Sequence, residues 1–427
     1  MGDRHRRREP VAGSSGAPAP GGTGPFDWVR RVAAVAATYA LAVVVWVAFG
    51  ADLPGGRWFA VHLFTLGVVT NLVLALSDHF ARTLTHRAGA TPRWQLPLAN
   101  AGILAVLFGV PSGRSWVIVV GATVLTSVVF LSYRRLRALR RAALAPRFGW
   151  VVRAYERAHG AFLHGAVLGA LIGASVFAGA WIGAARLAHA HINLLGWAGM
   201  TLLATIVFFG PTVARTRIEK GSDARAARTL GHAATALTLA VLALLGTGAA
   251  GALGVASRVA AAVGLAVFAA AVAIVCLPVL RAMGRARTPE RWPMLAAVAW
   301  FPVVSSADVL VVAAASWRWM DALGAALLIG VLAQAIAAAL GYLAPQLRPR
   351  GAERDAVRSR SGTFALGRAV VWNAGVVLVV AAAVAGGEGG DWAWIARIGW
   401  GLVFVSAIAQ AILIGSVRRG LADGGDR

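Results

Sequence analysis

The sequence is short of charge, shorter still of acid, and almost without cysteine or lysine. Only 14% of its 427 residues are charged, too little polar surface to clothe a soluble chain of this size. Cys276 is the sole cysteine and lies inside an apolar run. Internal disulfides, thiolate zinc sites and Cys-ligated iron–sulfur clusters are thereby excluded. Lys220 is the sole lysine, so arginine carries the basic charge. No hydrophilic stretch is long enough for a soluble domain: the longest loops, about 134–148 and 346–363, are Arg-rich connectors.

What is present is apolar. Hydrophobic residues make up 59% of the chain and mean hydropathy is +0.71, which predicts an all-α integral membrane protein. Twelve transmembrane helices are predicted, near 29–50, 58–80, 94–111, 115–133, 149–181, 187–212, 226–250, 258–280, 292–315, 321–344, 364–386 and 392–416. Of 41 basic residues, six (Arg57, Arg114, Arg186, Arg258, Arg318, Arg397) fall one to each external loop of a model with cytoplasmic N and C termini. The remaining 35 fall in or beside its cytoplasmic segments, as the positive-inside rule requires. The net charge of +24 would suggest nucleic acid in a soluble domain. Here it faces the anionic inner leaflet of the cell's inner (plasma) membrane instead. Residues 1–27 are expected to be a disordered basic cytoplasmic tail, 28–417 the membrane domain, and 418–427 a second tail.

The chain repeats. Ala188–Arg217 (AHAHINLLGWAGMTLLATIVFFGPTVARTR) has a weaker copy starting at His62 and a third starting at Ala325. Aligned on Gly67, Gly196 and Gly330, the positions His62, His191 and Ala325 fall in register, and Pro211 matches Pro345. Asn100-Ala-Gly, His232-Ala-Ala and Asn373-Ala-Gly repeat at spacings of 132 and 141. The repeat therefore extends beyond one helix. Three units of four helices, about 28–133, 149–281 and 292–416, predict a pseudo-threefold (3 × 4 helix) bundle around a common centre, unlike the inverted repeats of many transporters.

Ionisable groups inside a membrane are costly to bury, so each is a candidate for function. His62 and His191 lie near the outer ends of spans two and six, at matching depth, as two axial ligands of a heme would. His164, His232 and His79 are candidate metal ligands. Asn71, Asn100, Asp308 and Asn373 complete the polar intramembrane set. His189, two residues before His191, points to another helix side and is expected at the interface. Each histidine also has a plainer reading, as hydrogen-bonding glue between helices. Ala325 and Ala326, where the third unit has no histidine, would leave room for a flat macrocycle or let that unit pack directly on its neighbours.

Twelve spans, threefold pseudo-symmetry and histidines at the outer ends of spans two and six resemble the heme–copper oxidase subunit I superfamily. The segments His191-Ile-Asn-Leu-Leu-Gly196-Trp-Ala-Gly199 and His62-Leu-Phe-Thr-Leu-Gly67 more nearly resemble NnrS-type membrane proteins. The chain is also similar to the membrane portion of actinobacterial copper nitrite reductase-like proteins, without their cupredoxin domain. The resemblance implies heme or copper held by His62 and His191, nitric oxide, nitrite or copper-linked redox handling, and a redox partner such as a cupredoxin or cytochrome. The further oxidase histidines, paired in spans seven and ten, are missing apart from His232, which argues against oxygen reduction. The alternatives are a permease or metal-ion transporter using His79, His164, His232 and Asp308, and a cofactor-free membrane scaffold.

Overall fold

The computed structural model describes residues 25–50, 52–143, 148–348, 351–386 and 392–415, with side chains from Trp28 onward. Both expected tails lie largely outside these residues. Among the described residues the chain is helical throughout, without strands. In chain order the helices are α1 (Pro25–Phe49), α2 (Gly56–Thr85), α3 (Gln95–Gly109), α4 (Ser115–Arg141), α5 (Gly149–Gly173), α6 (Ala180–Val213) and α7 (Ser222–Gly246). There follow α8 (Gly251–Arg285), α9 (Arg291–Ala313), α10 (Trp317–Gln346), the short α11 (Ala352–Gly362), α12 (Ala365–Ala385) and α13 (Ala393–Gly415).

Each predicted span coincides with a helix, and ten of these are long and apolar enough to cross a bilayer. The other two are α3, with 15 residues, and α5, whose first half carries Arg153, Glu156 and Arg157. The predicted fifth span ran too far: its helix stops at Gly173, and the chain turns before α6 begins at Ala180. Large apolar side chains such as Leu41, Trp116 and Leu310 stand exposed around the bundle, as a lipid-facing surface requires.

Three helices contain a wide turn at the same register. Leu63–Thr70 in α2, Ile192–Gly199 in α6 and Ala326–Ala333 in α10 are π-helical, each eight residues long. Each begins one residue after the aligned position His62, His191 or Ala325 and contains the aligned glycine. Each glycine receives a side chain from the helix preceding its own. A Cβ on Gly67 would lie 2.3 Å from the Tyr39 ring of α1, one on Gly196 2.9 Å from Ala161 of α5, and one on Gly330 3.2 Å from the Trp300 ring of α9. π-Helical turns are rare and cluster where side chains are re-aimed for function. The same three helices converge on an apolar cavity of about 100 Å³, lined by Val69 and Leu72 of α2, Thr201 and Phe209 of α6, and Leu332 and Ala339 of α10.

Six of the remaining helices pack as close pairs, α3 on α4, α7 on α8 and α12 on α13. Small residues make this possible. A Cβ on Gly102 would meet the Gly121 carbonyl at 2.9 Å, one on Gly264 the Ala240 Cβ at 2.8 Å, and one on Gly399 the Gly375 carbonyl at 2.8 Å. In lipid, where burial of apolar surface drives little association, such close backbone approach is a main source of helix–helix attraction. The most apolar stretch of α6 is 67% buried and that of α1 only 11%, so the chain is organised around α6 with α1 at its margin.

Candidate metal and proton site

Five of the intramembrane histidines are pinned in one tautomer by the backbone. His62 Nδ1 lies 2.8 Å from the Trp58 carbonyl, His159 Nδ1 2.8 Å from Tyr155, His164 Nδ1 2.8 Å from Gly160, and His191 Nδ1 2.7 Å from Leu187. His189 Nδ1 reaches across to α5, 2.9 Å from the Gly165 carbonyl. A carbonyl can only accept, so Nδ1 carries the proton in each and donates it. The Nε2 atom decides what each ring does.

His62 and His191 do not meet. The imidazole beside His62 is that of His189: their ring centroids are 6.4 Å apart and their planes differ by 19°. Trp58 stacks on His62 at 4.1 Å. His189 sits in a notch of α5, where a Cβ on Gly169 would fall 2.6 Å from its Cε1. The neighbouring Gly165 makes room for Asn193, whose amide donates to the His189 carbonyl at 2.8 Å. The helical face that had placed His189 at an interface is the face that looks into the bundle toward α2 and α5. Nε2 of neither ring has a hydrogen-bond partner among the described residues, leaving each lone pair available to a metal ion.

His191 is engaged elsewhere. Its Nε2 lies 3.1 Å from Oδ1 of Asp308 on α9, and both side chains are buried. Because Nδ1–H is committed to Leu187, the Nε2–Oδ1 contact is a hydrogen bond only if it carries one further proton. The pair is either imidazolium with carboxylate or imidazole with carboxylic acid. It joins the second predicted unit to the third.

The other candidates separate. His164 and His232 are exposed on the outside of the bundle, and His79 lines a polar cavity at the arginine-rich end. His159 is fully buried, with Ser132 Oγ 3.2 Å from its Nε2 and Trp197 packed edge-on at 4.7 Å. Asn71 and Asn100 exchange two amide hydrogen bonds of 3.1 and 2.9 Å between α2 and α3. Asn373 accepts from the Trp300 indole at 2.7 Å. Trp300 packs on Gly330 as Tyr39 packs on Gly67 in the first unit. No group of three or more potential metal ligands from His, Cys, Asp and Glu occurs among the described residues.

No protein-family model matches the chain, and no curated protein matches it.

Proposed function

We propose that this multi-pass membrane protein is a heme–copper-oxidase-like, NnrS-like protein that holds a redox metal between His62 and His189 at the outer ends of α2 and α6. The observation that carries the reading is the pairing of two imidazoles from consecutive repeat units, each with Nδ1 spent on a carbonyl. With ring centroids 6.4 Å apart, His62 and His189 are close enough that both could ligate one metal ion. The donor set of two neutral nitrogens without thiolate would suit copper or heme iron. Trp58 against His62 and α5 against His189 leave a single ion the closer fit, so copper stands ahead of heme. The bound metal would supply one-electron chemistry, with nitric oxide, nitrite or copper itself as the species handled. His62 and His189 would hold it, while Trp58, Asn193 and the α5 notch orient the rings and exclude water.

The reading takes all twelve spans as crossings, in three units of four, with cytoplasmic termini in the inner (plasma) membrane. The coincidence of three π turns at one register supports the repeat. A cupredoxin or a cytochrome fits as electron partner. The test is metal analysis and oxidised and reduced absorbance spectra of purified protein. His62→Ala or His189→Ala should abolish bound copper or a Soret band, whereas His191→Ala should not. Protein lacking both signals under copper- and heme-replete expression would refute the reading.

A second reading rests on the His191–Asp308 pair, a proton-holding contact between units that suits a proton-coupled permease. Vesicle uptake that depends on Asp308, in protein without metal, would favour it.

A further inference from the structure

At the arginine-rich end, a cavity of about 730 Å³ opens between the start of α1, the end of α2 and the loop that follows. Its polar wall is cationic: Arg31, Arg82, Arg87, Arg93, His79 and His86 all line it. The one acid there, Asp78, is buried and its charge is spent. Arg82 Nε lies 2.9 Å from one carboxylate oxygen, Thr91 donates to the same oxygen at 2.6 Å, and Arg135 of α4 approaches the other at 3.7 Å.

The loop over this acid is built rather than loose. Arg82 also donates to the Ala88 and Ala90 carbonyls, and Arg87 to that of Ala142 at the end of α4. Gly89 adopts φ +131°, and a Cβ there would fall 2.4 Å from Arg82 Nη1. The guanidinium and the loop can coexist only with glycine at that point. Two cations remain uncommitted: Arg31 and Arg93 are exposed and have no ion pair or hydrogen bond among the described residues.

We infer that this cavity is a binding site for a phosphate group, held by Arg31 and Arg93. Arginine forks match phosphate oxygens in bidentate fashion. Basic pockets between helix ends lie at the depth of anionic headgroups. The phosphate can belong to a lipid of the surrounding leaflet or to a free solute, and the chemistry that recognises it is the same.

The experiment titrates the purified full chain in a neutral detergent with two probes, short-chain phosphatidylglycerol and inorganic phosphate, using phosphatidylcholine as the zwitterionic reference. Saturable binding of phosphatidylglycerol alone identifies a lipid site; saturable binding of inorganic phosphate as well identifies a site for free phosphate compounds. The Arg31→Ala/Arg93→Ala double variant should weaken binding roughly thirtyfold, taking the surface attraction of about two arginines. Arg217→Ala, in a different basic loop, should leave it unchanged. Absence of saturable binding by either probe, or binding that the double variant leaves intact, overturns the assignment.

Discussion

Nε2 of His191 lies 3.1 Å from Oδ1 of Asp308, 117 residues further along the chain. With Nδ1 committed to the Leu187 carbonyl, the contact stores a single proton inside the bundle. Asp308→Ala leaves a buried imidazole without its partner and should cost about 3 kcal/mol. Asp308→Asn, whose amide can donate to Nε2, should lose much less. Unfolding of the two variants in mixed detergent measures the difference, and equal losses would argue against a proton held at this contact.

The reciprocal amide pair of Asn71 and Asn100 ties α2 to α3. Asn71→Ala strands one donor and one acceptor, at a cost of about 1–3 kcal/mol. Asn71→Leu combined with Asn100→Leu should recover part of that, because neither polar group is then left buried alone. A double-mutant cycle on thermal stability reads the coupling.

Gly67 faces the ring of Tyr39 across a gap that admits no Cβ. Gly67→Val should therefore displace α1, destabilising the protein by about 1–3 kcal/mol. Tyr39→Ala in the same chain should restore part of the loss, whereas Tyr39→Ala alone should open a void. Yields of monodisperse protein after heating rank the three.

Side-specific labelling tests the crossings. Cys276 is buried, and Cys276→Ala gives a cysteine-free background. Ser112→Cys should react with an impermeant maleimide on intact cells, while Arg93→Cys should react only after permeabilisation. That outcome makes the 15-residue α3 a full crossing. Val176→Cys outside and Arg141→Cys inside would do the same for α5. A reversed pattern would invert the assigned orientation.

Much of this architecture was legible in the chain. The glycine register Gly67, Gly196, Gly330 predicted equivalent helices, and the three π turns coincide with it. Asn71 and Asn100, marked only as polar intramembrane residues, prove to be each other's partners. The histidine pairing was not legible, because equal depth does not fix facing. Partner choice depends on how far each helix is rotated about its axis, and a π turn changes that rotation where the histidines sit. A signal for His189 existed in Gly165 and Gly169, four residues apart on α5, which cut the notch its ring occupies. The role of Trp300 was hidden for a similar reason: a tryptophan in mid-span reads as lipid-facing or core until its indole partner, Asn373, is known.

Each π turn also carries a mechanical corollary. An α-helix advances about 100° per residue and a π turn less, so closing Ile192–Gly199 to regular α-helix with every residue kept would swing the remainder of α6 about its axis. Thr201 and Phe209 would leave the central cavity together, while His189 and His191 kept their places above. The upper and lower halves of this helix are thus separately adjustable parts, joined at a swivel.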